Sequence, residues 1–439
     1  MQSSPILLAN ADIVVYDSTR FVRGGSIVIE NGLITATGNQ GALEHRPMQT
    51  IDCSGLMLIP GLVNAHTHLY QVMTRGVGKH LSVWGWVSAV TYPMAKGLDE
   101  GAYYDAVLLG CADAIRNGTT AVVDHLTQYA RFHADQSMRA ITASGLRGAV
   151  ARGSADYSIV DAGEARPLET DLADAEAFVR RWNKDGIVQP WIGPAGFHSC
   201  TPRALTELKQ LSRRLETRFH THIGESRPGM ERARSLGYAG EAAHAGALDL
   251  LDSHTSLAHV VWVSEEEISA IASSGCQVVH CPTSNQLLAS GVAPVPRMVA
   301  KGVVPALATD GPSSNDSLDM VAELKSAALI HRAVSHDATI TAANDVFFWA
   351  TEGGARVLGH PNLGRIVPGF AADIVGIRID GNPSLTPCED PYAALAFYAS
   401  GRDVSFVMVD GRVLYRNGEF TTLDVAKVCE KVAARARSR

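Results

Sequence analysis

Two histidines near residue 66 have a spacing that suits metal binding. His66 and His68 end the segment PGLVNAHTH, which spans residues 60–68. Side chains two positions apart on a strand point to the same side of it, because they alternate with a period of two. Both imidazoles can therefore reach one metal ion. The pair alone is equally typical of hydrogen-bonded structural histidines.

Further histidines and one aspartate follow later apolar segments. They are His222 in FHTHIGE, His259 at the end of LAH, His280 in VHCP and Asp310 in ATDG. If these segments are strands of a barrel, their carboxyl ends converge at one mouth. A purely structural explanation would require a separate partner for each buried polar group. The convergence therefore predicts a metal site.

Alternating strands and helices must position these residues. The candidate strands are 57–65, 119–124, 146–151, 188–193, 218–223, 256–261, 277–281 and 304–309. Helical patterns between them include 103–117, 173–182, 204–215 and 265–274. This order predicts an α/β fold with a (β/α)8 TIM barrel, with a doubly wound open sheet as the alternative. No GxGxxG motif follows the first strand and no Walker loop is present, which disfavours a nucleotide cofactor.

Both ends of the chain have short β-branched segments instead. Asn31-Gly32 and Asp410-Gly411 each separate two such segments, and both dipeptides are typical of two-residue hairpin turns. We expect a small β-sandwich domain built from residues 1–57 and 360–439. The barrel would then occupy residues 58–359.

The motifs PGLVNAHTH, HTHIGE, LAH, HCPTSN and ATDGPSSND together resemble the amidohydrolase superfamily. The similar branch holds nucleoside, guanine, 8-oxoguanine, isoxanthopterin and cytosine deaminases and the triazine hydrolases, and the resemblance covers almost the whole chain. It implies a divalent metal ion held by four residues, His66, His68, His222 and Asp310. It also implies catalytic roles for Glu225 and His259, and Asp310 can accept a proton from water. One ion per subunit is expected, zinc first, with iron or manganese as alternatives.

The implied reaction is hydrolytic deamination of a nitrogen heterocycle. Water activated by the metal attacks the amino-bearing carbon and ammonia leaves. Glu225 would pass a proton to a ring nitrogen, and His259 would stabilise the developing charge. The alternatives are a triazine-type hydrolase that releases chloride or an alkylamine, a nucleoside deaminase, and a retired metal-binding scaffold. The scaffold is disfavoured because Glu225 and Asp310 are both present.

Substrate contacts are expected from residues near the strand ends, namely Gln71, Trp84, His125 and His280. The amide of Gln71 can both donate and accept hydrogen bonds, which suits the lactam edge of a base. Trp84 can stack on a flat ring, although such a residue is more often part of the core. Roles for His198 and Arg152 stay open, and His220 is expected to be structural.

Two departures from the family pattern narrow the expectation. Nucleoside-acting members tend to have an acidic residue where this chain has Met94-Ala95-Lys96, so a free oxidised purine, pterin or related base is favoured. The fourth candidate strand, VQPWIGP, lacks the lysine that binuclear relatives carboxylate. A single metal ion is therefore expected.

Composition restricts the possible binding partners and the cellular location. The net charge of −7 gives no footprint for nucleic acid or for an anionic membrane. Seven cysteines without CxxC spacing are typical of reduced thiols, and no basic segment precedes an apolar one at the amino terminus. We expect a cytoplasmic enzyme with a small heterocyclic substrate. The resemblance implies a homo-oligomer, commonly a dimer.

Overall fold

The structure, a computed structural model, describes residues 4–39, 49–158, 165–183 and 186–437. Its strands are β1 (Ile6–Val15), β2 (Phe21–Glu30), β3 (Leu33–Gly38), β4 (Gln49–Asp52), β5 (Leu56–Pro60), β6 (Leu62–Thr67), β7 (Thr119–His125), β8 (Arg147–Ser154), β9 (Val188–Pro194), β10 (Phe219–Ile223), β11 (Thr255–His259), β12 (Gln277–His280), β13 (Pro305–Leu307), β14 (Ile374–Arg378), β15 (Val404–Val409), β16 (Arg412–Arg416) and β17 (Glu419–Phe420).

The α-helices are α1 (Val83–Trp86), α2 (Tyr92–Lys96), α3 (Glu100–Arg116), α4 (Ala134–Ser144), α5 (Leu168–Trp182), α6 (Pro202–Arg214), α7 (Arg227–Ser235), α8 (Glu241–Ala247), α9 (Glu265–Ser274), α10 (Pro282–Leu287), α11 (Val295–Ala300), α12 (Met320–Ser335), α13 (Ala343–Phe348), α14 (Gly354–Leu358), α15 (Pro391–Ala393) and α16 (Val425–Arg437). Short 3₁₀ or π segments lie at Leu69–Thr74, Val87–Thr91, Arg131–His133, Trp349–Gly353, Ala394–Tyr398 and Gly401–Asp403. Among the described helices, none has the length and apolarity that crossing a bilayer requires.

The central sheet confirms the predicted barrel. Strands β6 to β13 pair in parallel in their chain order. At the seam between the first and last strands, the Asp310 amide donates to the His66 carbonyl at 3.1 Å. The Asn64 side chain also contacts both the hydroxyl and the amide of Thr309, at 2.7 and 3.1 Å. The carboxyl ends of all eight strands therefore surround one mouth.

The ends of the chain form the predicted small β domain. Strands β1 to β5 and β14 to β17 make one mixed sheet, and strands from both ends share one apolar core that includes Leu8, Ile27, Ile374 and Phe406. The sequence-based division at residues 57/58 and 359/360 stays a prediction, and it includes residues 1–3, 40–48 and 438–439, which lie outside the described residues.

The local signals explain several element boundaries. Asn31 and Gly32 have φ of 52° and 78°, and Asp410 and Gly411 have 52° and 74°, as two-residue hairpin turns of this type require. Helix α9 begins with a capping box between Ser264 and Glu267. One expected strand, 57–65, is two strands in the structure, because the chain passes from the mixed sheet into the barrel at Gly61. A β-carbon at Gly61 would lie 2.1 Å from the Thr120 hydroxyl, so the crossing needs glycine.

Candidate active site

The seam of the barrel brings one carboxylate against two imidazoles. Asp310 Oδ1 lies 3.3 Å from His66 Nε2 and 3.3 Å from His68 Nε2. All three residues are buried. Asp310 Oδ1 and His66 Nε2 have no well-formed hydrogen bond within the described protein, although buried polar atoms normally have one. These two atoms therefore require a partner that is not a protein group.

The neighbouring strands add further nitrogen ligands to the same point. Ring nitrogens of His66, His222 and His259 lie within 4.8 Å of one another, and so do the ligand atoms of His66, His68 and Asp310. Imidazole nitrogen and carboxylate oxygen are the ligands that zinc takes in catalytic sites. The donor set and the two unpaired atoms thus fit a divalent cation.

Backbone carbonyls fix the orientation of two of these rings. His68 Nδ1 lies 2.5 Å from the His125 carbonyl, and His222 Nδ1 lies 2.8 Å from the Ala195 carbonyl. A carbonyl can only accept, so each Nδ1 carries the proton. In the neutral ring each Nε2 then presents its lone pair to the cluster, as metal ligation requires.

His66 is held by a second histidine on the neighbouring layer. His66 Nδ1 lies 2.7 Å from His220 Nε2, and His220 Nδ1 lies 2.6 Å from the Ser256 hydroxyl. His220 is fully buried and does not line the cavity described below. The structure thus places His220 as a support for His66, in agreement with its expected structural role.

Two serines that the sequence analysis did not single out hold the aspartate. The hydroxyls of Ser284 and Ser314 donate to Asp310 Oδ2 at 2.6 and 2.8 Å. With Oδ2 occupied in this way, Oδ1 remains for the cluster. The signal was available, because Ser284 lies in HCPTSN and Ser314 in ATDGPSSND.

The electrostatics favour the ionised form of Asp310 and the neutral forms of His66 and His222. Burial opposes ionisation of Asp310, but His66 and the other imidazoles outweigh it, so the pKa of Asp310 lies well below its usual range. Burial lowers the pKa of His66 to about 4. Burial and the neighbouring rings of His125 and His66 likewise hold the pKa of His222 well below its ordinary value. These protonation states are the ones that bind a cation.

The backbone is strained where two of these side chains enter the site. His259 has φ of 74° and Asp310 has φ of 62°, conformations that residues with a β-carbon rarely adopt. Such strain persists only where the surroundings impose it, and it is concentrated at functional sites. His259 is further oriented by Asn285, whose side-chain oxygen accepts from its Nδ1 at 2.9 Å.

Glu225 follows β10 on a short loop beside the cluster. Burial raises its pKa, so this carboxyl retains a proton to higher pH than an exposed glutamate. The preceding residue, Gly224, has φ of 61° and donates its amide to Glu241 Oε2 at 2.7 Å. Glu241, which the sequence analysis missed, therefore positions the loop that carries Glu225.

A cavity opens over the cluster. It is lined by His68, Gln71, Val83, Trp84, Trp86, Val87, Thr91, Thr127, Gln128, Tyr129, Ala195, His198, His222, Glu225, His259 and Asp310. Gln71 and Trp84, two of the expected substrate contacts, are among them. His198 is also there, with its ring 4.9 Å from that of Trp84. The sequence analysis did not single out the lining residues 127–129. Their position just after β7 is the only feature of the sequence that places them near the mouth of the barrel.

Three residues considered at the sequence level lie away from this lining. His125 lies within the histidine cluster, with its ring 4.7 Å from that of His222. His280 Nε2 lies 3.1 Å from the Nε2 of His331 on α12. Arg152 is buried and donates to Asp171 at 3.0 Å. The structure therefore does not bring His125 or His280 to the cavity, and Arg152 is occupied by an internal ion pair.

The side chain of Gln71 reaches the cavity because of a glycine. A β-carbon at Gly311 would lie 2.0 Å from Gln71 Oε1. Gln71 is almost fully buried, and its Oε1 has no hydrogen-bond partner within the described protein. An amide in this state is available to a bound molecule.

The chain is similar to known proteins over most of its length. Residues 57–414 match the model of the amidohydrolase family. The chain is 34% identical to a 5-methylthioadenosine/S-adenosylhomocysteine deaminase of Nitratidesulfovibrio vulgaris, over 95% of this chain and 94% of that one. It is also 34% identical to a 5'-deoxyadenosine deaminase of Methanothermobacter thermautotrophicus, over 99% of both chains. The fold is similar to that of an adenosine deaminase from Xanthomonas campestris with bound zinc, with a TM-score of 0.92, 27% identity and 99% of each chain covered.

Proposed function

This chain belongs to the amidohydrolase family, and we propose that it deaminates an adenosine-type nucleoside with release of ammonia. Its class of reaction is hydrolysis of a carbon–nitrogen bond in a cyclic amidine. The observation that carries the nucleoside proposal is the 34% identity, over nearly the full length, to two relatives that are both named for adenosine derivatives. The sequence analysis favoured a free base instead, because of residues 94–96.

The cavity is compatible with a nucleoside without an acidic residue at residues 94–96. Thr91, Thr127 and Gln128 supply neutral hydrogen-bonding groups to the lining, and hydroxyl and amide groups can both donate to and accept from ribose hydroxyls. The indole of Trp84 offers a flat apolar surface to a purine ring.

A free aminated base is the second candidate, because of Gln71. Its amide oxygen is buried without a partner, and the base of a guanine-type substrate has the complementary donors. Among the described lining residues, the only carboxylates are Glu225 and Asp310, and both lie at the chemical centre.

We assign the metal to His66, His68, His222 and Asp310, and zinc is the ion that this donor set and the zinc-bound neighbour favour. A bound divalent cation acts as a Lewis acid and lowers the pKa of water from about 15.7 towards 7. Asp310, which faces the same site, would accept the proton that water loses.

Glu225 and His259 complete the proposed chemistry. Burial raises the pKa of Glu225, which favours the protonated carboxyl that delivers a proton to a ring nitrogen of the amidine. His259, oriented by Asn285, stabilises the charge that develops at the reacting carbon's substituents. The amino group then leaves as ammonia.

Ammonia release from matched substrates tests this proposal. Zinc-loaded protein is assayed with adenosine, 5'-deoxyadenosine and 5'-methylthioadenosine, and in parallel with adenine, guanine, 8-oxoguanine and isoxanthopterin. We expect kcat/KM for at least one nucleoside to exceed that for every free base by tenfold or more. A higher value for a free base would replace the first candidate with the second. Release of chloride or an alkylamine from triazines, without any ammonia, would overturn both.

A further inference from the structure

A second cavity lies at the opposite end of the barrel from the proposed active site. Its lining includes Ser253, Arg218 and Gln277, which stand before or at the start of β11, β10 and β12. The other wall comes from α14 and the segment that follows it. The cavity is open to solvent, and its volume of about 910 Å³ includes part of that solvent.

The charged groups of this cavity are unbalanced. Its lining has three guanidinium groups, those of Arg218, Arg356 and Arg365, and one carboxylate, Glu352. Glu352 accepts from Arg365 Nε at 2.8 Å and from its Nη2 at 2.5 Å, so this acid is already used. Within the described residues, no carboxylate lies within 4 Å of the guanidinium of Arg218 or Arg356. Two cations thus face the cavity in a protein whose net charge is −7.

Arg218 lies over the ring of Trp191, 6.0 Å from its centroid, but has no anionic partner of its own among the described residues. Its Nη1 donates to the Ser253 carbonyl at a long 3.3 Å, and burial lowers its pKa. The nearest acid that acts on it, Asp252, is already paired with Lys209 at 2.8 Å and with Arg213 at 3.0 Å. A half-buried cation without an anionic partner is unfavourable, and a bound anion would remove that penalty.

The backbone is shaped around this guanidinium. Gly359 ends α14 with φ of 72°, and a β-carbon there would lie 2.5 Å from Arg218 Nη2. The next residue, His360, also lines the cavity. Burial and then the charge of Arg147 lower the pKa of His360; Asp373 opposes this shift, and Arg218 adds to it.

From this arrangement we propose that the cavity binds the phosphate group of a small anion, with Arg218 and Arg356 as its charge partners. The planar fork of a guanidinium matches two oxygens of a tetrahedral oxyanion, and two such groups can neutralise a dianion. The aromatic ring of Phe370, also in the lining, can take an organic portion of a nucleotide. Free phosphate and a nucleotide phosphate share this recognition chemistry.

Calorimetric titration of the zinc-loaded protein at constant ionic strength tests the site. The probes are inorganic phosphate, sulfate as a second tetrahedral dianion, and uridine 5'-monophosphate, which has no exocyclic amino group to hydrolyse. We expect saturable binding of phosphate, and we expect Arg218→Met to weaken it at least tenfold. Tighter binding of the nucleotide identifies a nucleotide site, and equal affinity identifies free phosphate as sufficient.

Matched variants separate charge pairing from folding. Arg356 is exposed, so Arg356→Met should fold normally and also weaken phosphate binding severalfold. Arg402 is exposed but lies outside this lining, and Arg402→Met removes the same charge and should leave binding unchanged. No saturable binding of any probe to the wild-type protein, or equal weakening by Arg402→Met, would overturn the proposal. The titration does not use the deaminase reaction, so it stands apart from the proposed function.

Discussion

The two ends of β10 have opposite requirements. At its carboxyl end, His222 presents the lone pair of its Nε2, and the nearby Asp310 Oδ1 has no hydrogen-bond partner among the described residues. At its amino end, Arg218 presents a guanidinium without an acidic acceptor. Only three residues, Phe219 to Thr221, separate Arg218 from His222 along the chain.

The difference shows how unpaired groups indicate the sign of a ligand. Unmatched acceptors require a cation, and unmatched donors require an anion, because either state is unfavourable when it is shielded from water. Variants at the carboxyl end should therefore change metal content and catalysis while phosphate binding at the amino end stays the same.

The largest effect is expected from Asp310→Asn. This change removes the charge that faces His66 and His68, so we expect kcat/KM to fall by about 10³-fold or more and the zinc content per subunit to drop. Assay of ammonia release and elemental analysis measure both. Asp316→Asn alters an exposed aspartate six residues away and should leave both nearly unchanged. Retention of activity and metal by Asp310→Asn would remove this residue from the proposed ligand set.

Glu225→Gln should slow the reaction without changing the metal content. The amide cannot transfer a proton, so we expect kcat to fall by about 10²- to 10⁴-fold with zinc stoichiometry unchanged. Steady-state kinetics on metal-loaded protein measure this, with the exposed Glu231→Gln as the control. Near-normal turnover would exclude Glu225 as the proton shuttle.

Ser284→Ala should have a smaller effect, a reduced affinity for the metal. Its hydroxyl donates to Asp310 Oδ2 at 2.6 Å, and partners of this kind typically contribute about 10- to 100-fold in metal affinity. Competition with a zinc chelator measures the affinity. Ser290 is also buried, but its hydroxyl has no partner among the described residues, so Ser290→Ala is the matched control. Equal losses in both variants would show that packing, rather than the hydrogen bond, matters.

The smallest effect concerns a histidine pair outside both sites. Burial lowers the pKa of His331 to about 4, below its ordinary value of 6.5, so the unfolded chain binds a proton that the folded protein does not between these values. Its contribution to stability is therefore present above pH 6.5 and is lost as the pH falls towards 4. We expect His331→Gln to reduce the loss of unfolding free energy between pH 7 and pH 5 by about 1–2 kcal/mol. Urea unfolding of metal-free protein at both pH values measures this, and an unchanged loss would contradict it.

Much of the fold could be predicted from local patterns. The hairpins at Asn31-Gly32 and Asp410-Gly411 and helix 265–274 follow from turn chemistry and capping, which act within a few residues. The break at Gly61 could not be predicted in this way. It depends on the close approach of Thr120, a residue almost sixty positions away.

The candidate site, like the fold, could be predicted only in part from local patterns. The histidines and Asp310 could be grouped because parallel strands bring their carboxyl ends together, and the structure brings them together, although their roles remain proposals. His280 carried the same sequence signal as His259, but the structure pairs it with His331 on α12. Which neighbour a strand-end histidine meets depends on helix packing, and no local pattern encodes that.

The order of strands and helices and the residue types that suit a cation could be predicted from the amino-acid sequence, because these depend on short-range periodicity and spacing. The motifs of the chain carry its resemblance to the family. Which polar atoms lack partners depends on the packing of the folded chain. Residues distant in the chain surround His66 Nε2 and Asp310 Oδ1 at one end of the barrel, and Arg218 at the other, without supplying a matching partner. For that reason these groups are candidate ligand-binding groups. Whether a polar atom is satisfied is a property of the folded neighbourhood, and for that reason the cavity at the amino-terminal end of the barrel had no signal in the sequence.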